Sequence, residues 1–159
     1  MNKPTVLYFI RAEADLERIS SIAIAGKPYA KQYFAYYGDI DFLFYFGIKN
    51  KFQKEILRMN NFEVLDIITV SISGKVYKWM RCSDTNLPFV KLFNKLIQKA
   101  FNRFFHNYQD KNKLADILLK KIKPNVLITD NSIERKNYFP HLLRQSALKK
   151  NIKIHVTGH

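Results

Sequence analysis

A chain of 159 residues that is 47% hydrophobic can build one domain with a full core, and it is too apolar to be disordered. Its lone cysteine, Cys82, excludes a disulfide framework, and no apolar run approaches the ~20 residues of a membrane-spanning helix. The formal charge of +14 favours anionic partners such as nucleotides, nucleic acid or the anionic face of a membrane. Most of the excess is C-terminal: from Lys95 onward 14 Lys and Arg stand against 4 acids. The same excess also arises when lysines simply line the polar faces of helices.

Val6 to Ile10 is a short apolar run of the kind buried in the centre of a sheet, and it leads straight into Arg11 and Glu13, which is not a signal-peptide pattern. Leu16, Ile19, Ile22 and Ala23 then recur at helical spacing, with Gly26-Lys27-Pro28 as the stop. A first strand feeding a first helix invites a dinucleotide reading. That chemistry needs a glycine-rich turn for close backbone approach to a diphosphate, and Arg11-Ala-Glu-Ala-Asp15 does not supply one.

Tyr29 to Tyr37 is aromatic and reads equally as a helix tail or an extended piece. Asp41 to Ile48 is strongly apolar and aromatic, and propensity makes it the second strand. Phe52, Ile56, Leu57 and Met59 mark a short helix, and Val64 to Val70 the third strand. The alternation from Val70 to Trp79 around Ser73-Gly74 fits a small hairpin or a loop. Phe89, Leu92, Phe93, Leu96, Ile97, Ala100, Phe101 and Phe104 form the clearest helical stripe, expected in the core rather than on a cofactor or lipid. Leu114, Ile117, Leu118 and Ile122 mark another helix, which Pro124 ends.

The last stretch is the most legible. Val126 to Thr129 is a β-branched run suited to a sheet buried on both faces. Asp130, Asn131 and Ser132 cluster where the chain leaves the sheet and can hydrogen-bond free N–H groups at a helix start. Phe139, Leu142, Leu143, Ser146 and Ala147 follow at helical spacing, Lys149-Lys150-Asn151 suits a helix C-terminus, and Ile152 to Thr157 is a final strand. Two strands joined by one helix make a right-handed parallel crossover.

Alternating strands and helices predict an α/β fold: a Rossmann-like three-layer sandwich, with a mostly parallel five-stranded sheet and helices on both faces. In the simplest order the strand at Val126 returns beside the first strand and the strand at Ile152 lies beyond it. Ligands in such sheets bind beyond the carboxyl ends of the strands where the order reverses. That places Arg11 and Glu13 on one side of a crevice, Asp130, Asn131 and Ser132 on the other, and Thr157, Gly158 and His159 next to them. Arg11 can grip a phosphate or pair with Glu13 or Asp15 in solvent, and Asp130 can be a catalytic base or only a helix cap. His141 and His155 read as packing or surface residues, and His106 as a helix end. No spacing resembles a metal site, and no phosphate-loop or nucleophile-elbow motif occurs.

Pro124-Asn-Val-Leu-Ile-Thr-Asp130, a helix with Ala147-Leu-Lys-Lys-Asn-Ile152, and His155-Val-Thr-Gly-His159 together resemble the N-terminal half of GT-B-type glycosyltransferases and the related UDP-N-acetylglucosamine 2-epimerases. Val6-Leu-Tyr-Phe-Ile-Arg11 with its helix is similar to the start of capsular or surface-polysaccharide transferases and CDP-glycerol transferase relatives. The resemblance covers about the first and last forty residues.

It implies a single Rossmann-like domain over 1–159, the acceptor-side N-terminal domain of a longer two-domain protein, inactive alone. A nucleotide-sugar or CDP-linked donor would be held mainly by the second domain, with no further cofactor and no metal. The resemblance further implies surface glycan synthesis in the cytoplasm, peripheral at the inner membrane face. The placement at the strand-order reversal makes Glu13 and Asp130 the catalytic candidates, as general bases. The same placement makes Arg11, Asn131, Ser132, Thr157, Gly158 and His159 the substrate-binding candidates, and the resemblance adds that Thr157-Gly158-His159 would face the cleft. Nucleic acid is the less favoured partner, since it rests on charge alone. The alternative is a non-catalytic flavodoxin- or receiver-like binding module for an anionic ligand or a protein. The paired acids a receiver needs after its first strand are replaced by Arg11.

Overall fold

The computed structural model describes residues 3–11, 13–37, 55, 58–81, 96, 99–100, 103, 110–130 and 138–157. Five strands, β1 (Thr5–Ile10), β2 (Lys31–Tyr36), β3 (Glu63–Asp66), β4 (Val126–Asp130) and β5 (Lys153–Thr157), form one sheet in the order β3-β2-β1-β4-β5. Every pairing is parallel. The helices are α1 (Glu13–Gly26), α2 (Ile72–Arg81), α3 (Lys111–Ile122) and α4 (Phe139–Lys149).

The period-2 alternation of β1 sorts its side chains between two cores. Leu7 and Phe9 join Leu127 of β4, Leu114, Leu118 and Leu119 of α3, and Phe139, Leu143 and Ala147 of α4. Tyr8 and Ile10 join Phe34, Ile128 and Leu16, Ile19 and Ala23 of α1. Tyr8 stacks on Phe34 with ring centroids 4.9 Å apart, and Phe9 meets Phe139 at 5.6 Å. The sheet is therefore buried on both faces, in three layers. The step from β1 to β2 goes one way with α1 on one face. The step from β4 to β5 goes the other way with α4 on the opposite face. Both crossovers thus keep the same hand, as the right-handed rule for βαβ units requires.

Local chemistry fixes the helix ends near the crevice side and the C-terminal unit. Asp110 caps α3 by accepting from the N–H groups of Asn112 (3.0 Å) and Lys113 (3.1 Å). Lys123 closes it in the left-handed conformation, donating to Leu119 O at 2.9 Å, and Pro124 then forces the chain into β4. α3 and α4 are pinned together by Asp116, which accepts from the Ser146 hydroxyl and from Lys150 Nζ at 2.6 Å. Those two donors hold the Asp116 carboxyl below the usual carboxylate range, Lys150 the more strongly.

The stretch left ambiguous, Tyr29 to Tyr37, contains the strand β2, Lys31–Tyr36, whereas Asp41 to Ile48, expected as the second strand, lies outside the described residues. β2 pairs on both edges, and tertiary pairing overrides its modest apolar content. The third strand stops at Asp66 instead of running to Val70. The Asp66 carboxylate accepts from Ile68 N (3.1 Å) and its carbonyl from Thr69 Oγ1 (2.8 Å), which turns Ile67–Val70 into a 3-10 helix.

The segment read as a hairpin or loop is α2. Ser71 Oγ accepts from Gly74 N at 3.0 Å, a side-chain cap that starts a helix where alternation suggested a turn. In the long aromatic stripe, Leu96 and Ala100 are helical but exposed, so at these positions the stripe is not core. The other apolar positions of that stripe lie outside the described residues.

Gly74 is required by close approach, since a Cβ there would collide with the Ile68 carbonyl oxygen. Replacing Gly74 with Ala is expected to destabilise the fold by about 1–3 kcal/mol in urea denaturation, the usual cost of overpacking. Leu148→Ala, on the 64% exposed outer face of α4, should stay within about 0.5 kcal/mol of wild type.

Candidate functional site

The order of the sheet reverses between β1 and β4, and their carboxyl ends lie side by side. The last β1–β4 pair in register is Tyr8 with Ile128, so two residues further Ile10 stands opposite Asp130. Ile10 is paired on its other side with Tyr36, Tyr36 with Asp66, and Asp130 with Thr157. One row across the carboxyl edge therefore reads Asp66, Tyr36, Ile10, Asp130, Thr157. Arg11 sits one residue beyond it and Glu13 opens α1. Asp130 and Glu13 are placed here by their backbone positions. Asn131, Ser132, Gly158 and His159 lie outside the described residues.

Arg11 is held by Asp15. The Arg11 guanidinium forks onto the carboxylate (Nε to Oδ2 3.1 Å, Nη2 to Oδ1 3.1 Å), and the Arg11 backbone N–H donates to Oδ2 at 2.8 Å. Only two residues, Arg11 and Ala12, join β1 to α1. Asp15, the third residue of the helix, can therefore reach back over the helix N-terminus. The Asp15 side chain is 2% exposed and the Arg11 side chain 19%, so of the two roles open to Arg11 in the sequence the structure shows the ion pair, largely withdrawn from solvent on its Asp15 side. Its chemical consequence is specific. The carboxylate sits in the first turn of α1, where in dinucleotide-binding folds a phosphate would be received by bare N–H groups.

On the far side of β1, Tyr36 is pushed up to about 12 by burial and, secondarily, by the negative charge of Asp66. A neutral phenol is therefore kept at the crevice rim throughout the ordinary pH range. Next to it, the Tyr37 ring packs on Phe139 at 4.9 Å with Lys111 Nζ 5.8 Å from its centroid. On the other side, the Thr157 hydroxyl donates to the Thr129 carbonyl at 3.4 Å, tying β5 to β4. Thr129 Oγ1, one residue before Asp130, is fully buried and meets no hydrogen-bond partner among the described residues.

No protein-family model matches this chain, and a search of curated proteins finds no significant match. The site therefore stands on its own geometry. Arg11, Glu13, Asp130 and Thr157 share one edge at the reversal of strand order. Asp15, Tyr36 and Asp66 belong to the same rim and were not singled out from sequence as site residues. The i,i+4 spacing of Arg11 and Asp15 was a visible signal. Tyr36 and Asp66 had none, because both depend on where strands end. His155 is exposed on β5. Among the described residues no cluster of His, Cys, Asp or Glu suits a metal ion, and no helix is long and apolar enough to cross a membrane.

The Tyr36 assignment has a pH signature. Unfolded tyrosine ionises near 10.0 and folded Tyr36 at about 12. Between these values the unfolded state holds fewer protons, so stability falls as pH rises through the window. Tyr36→Phe is expected to flatten that fall and to remove the highest-pH step from an absorbance titration of the tyrosines. An unchanged titration would assign the step to another tyrosine.

Proposed function

We propose that this chain is the acceptor-side N-terminal domain of a glycosyltransferase-like protein that uses a nucleotide-activated donor in surface glycan synthesis. The observation that supports the reading is the side-by-side placement of β1 and β4, by which the Arg11–Glu13 turn and the end of β4 at Asp130 share one edge of the sheet where strand order reverses. Two further features support it. The described strands of the segments that resemble GT-B-type proteins, β1, β4 and β5, are the ones that meet at this edge. The Arg11–Asp15 fork also fills the α1 N-terminus with a carboxylate. That suits a domain whose donor phosphates are bound elsewhere, by a second domain, while the crevice receives the acceptor.

In this reading Glu13 or Asp130 is the general base that takes the proton of the attacking acceptor hydroxyl, and Thr157, Asn131 and Ser132 orient the acceptor through hydrogen bonds. Arg11 is a positioning residue, held by Asp15 and holding the turn. The other reading is a non-catalytic module for an anionic ligand or protein partner. The engagement of Arg11 by Asp15 counts against an anionic ligand at that turn.

The test is release of UDP or CDP from activated sugars and from CDP-glycerol, assayed with lipid-linked and glycan acceptors on the protein together with any sequence downstream of residue 159. Acceptor-dependent release is expected, falling at least ~100-fold in Glu13→Gln or in Asp130→Asn, the ordinary contribution of a general base. Absence of release with every donor, or full rates in both variants, contradicts the proposal.

A further inference from the structure

A parallel sheet sorts residues by edge, because every strand starts and every crossover helix ends on the same side. At this amino edge, opposite the crevice, one lysine stands at the start of each of four adjacent strands. Lys31 opens β2, Lys3 precedes β1, Lys123 precedes β4 and Lys153 opens β5. All four are exposed. The backbone is knitted together here, with Lys31 N donating to Pro4 O (2.8 Å), Asn125 N to Thr5 O (2.8 Å) and Lys153 N to Asn125 O (3.2 Å). Strand spacing sets the four columns roughly 4.8 Å apart along the edge. Exposed Lys27 and Lys149, at the ends of α1 and α4, widen the row on the two faces of the sheet.

Among the described residues none of these six lysines is in an ion pair. Lys27 Nζ lies 5.9 Å from the Phe62 ring centroid and Lys31 Nζ 5.0 Å from that of Tyr33, contacts that hold an ammonium without neutralising it. Asp15, Asp66 and Asp130 stand towards the opposite edge, Asp116 is taken by Ser146 and Lys150, and Glu55 by Arg58. Of the described acids, Glu63 at the start of β3 adjoins the row. A lysine at a helix end complements the helix dipole, which accounts for Lys149. It does not account for Lys3, Lys31 and Lys153, which stand at strand starts.

The row also offers groups suited to sugars. Tyr29, in the turn between Lys27 and Lys31, is 75% exposed and presents a flat apolar ring. Asn125, exposed between Lys123 and Lys153, uses its Oδ1 on Thr5 N, which leaves its NH2 to donate to a hydroxyl. The column spacing is comparable with the length of one pyranose ring in an extended chain. Nucleic-acid sites favour arginine forks on phosphates and several aromatics for successive bases, whereas this row is lysine with one exposed tyrosine.

We infer that the amino edge binds a linear acidic glycan, laid across β2, β1, β4 and β5 with its anionic groups on the lysine row and a sugar ring on Tyr29. The inference rests on this edge and not on the transferase reading. The assay below contains no activated donor, so the two can fail separately.

The test is isothermal titration of the whole chain with polygalacturonate, whose charges are carboxylates, and with a phosphomannan, whose charges are phosphodiesters. Neutral dextran, an oligothymidylate and phosphatidylglycerol vesicles are the comparators. At least one acidic glycan is expected to bind, more weakly as salt is added, and dextran is not. Lys31→Gln with Lys123→Gln and Lys153→Gln should weaken binding at least ~10-fold, the summed effect of three exposed charge pairs. Tyr29→Ala should weaken it about fivefold through the lost ring contact. Lys75→Gln with Lys111→Gln and Lys113→Gln removes the same charge from the first turns of α2 and α3, and should change binding by no more than about twofold because salt screens distant charges.

The row is exposed, so thermal melts of its variants should match wild type and exclude unfolding as the cause. Four results overturn the inference: no acidic glycan bound at low salt, undiminished binding after the substitutions in the row or at Tyr29, equal losses in the two triple variants, or tighter binding of the oligothymidylate or the vesicles than of either glycan. The third would mean that overall charge, and not this edge, attracts the polymer.

Discussion

Everything in this fold follows from β4 lying against β1. The start of that pairing is a clamp at Asn125. Its side-chain Oδ1 accepts from Thr5 N at 2.8 Å, its own N–H donates to Thr5 O at 2.8 Å, and its carbonyl accepts from Lys153 N at 3.2 Å. One residue thereby sets the register of β1, β4 and β5. With β2 on its other edge, β1 becomes a central strand buried on both faces, which is why Leu7, Tyr8, Phe9 and Ile10 are all apolar or aromatic. The reversal of strand order at this pair separates α1 from α3 and α4 and opens the carboxyl edge between them.

What that edge can bind is limited by Asp15. A helix N-terminus at a strand tip attracts anions, and here the protein supplies its own. A phosphate arriving at α1 would have to displace a carboxylate that is buried, forked onto Arg11 and bonded to a backbone N–H. Removing one member of such a pair leaves a buried charge, so the arrangement is stiff. The polar groups of the rest of the edge (Tyr36 as a neutral phenol, Thr157 and the Asp130 tip) are better matched to hydroxyls than to phosphates. This asymmetry is the physical core of the acceptor-side reading.

The C-terminal βαβ unit was legible because its signals are local: Pro124 ends a helix, β-branched residues follow, and a 3.6-residue pattern leads to Asn151 in the left-handed conformation and a new strand. The strand order was also legible, since right-handed crossovers leave few alternatives. The second strand was not, because Lys31–Tyr36 contains Gln32, Ala35 and two tyrosines and gains its identity only from neighbours on both edges. α2 was hidden for a different reason. Its start depends on the Ser71 cap and on Gly74 fitting the Ile68 carbonyl, and alternation in Val70–Trp79 imitates strand periodicity. At the site, Arg11, Glu13 and Asp130 could be placed from topology, whereas Tyr36 and Asp66 required knowing the residue at which each strand stops.

The most direct test of the account is the β1–β4 pairing itself, read from inter-strand nuclear Overhauser effects in isotopically labelled protein. Contacts between the backbone protons of Val6, Leu7 and Tyr8 and those of Val126, Leu127 and Ile128, in parallel register, are the predicted result. Effects that instead join β1 to β5, or run antiparallel, would remove the shared crevice of Arg11 and Asp130 and contradict the account.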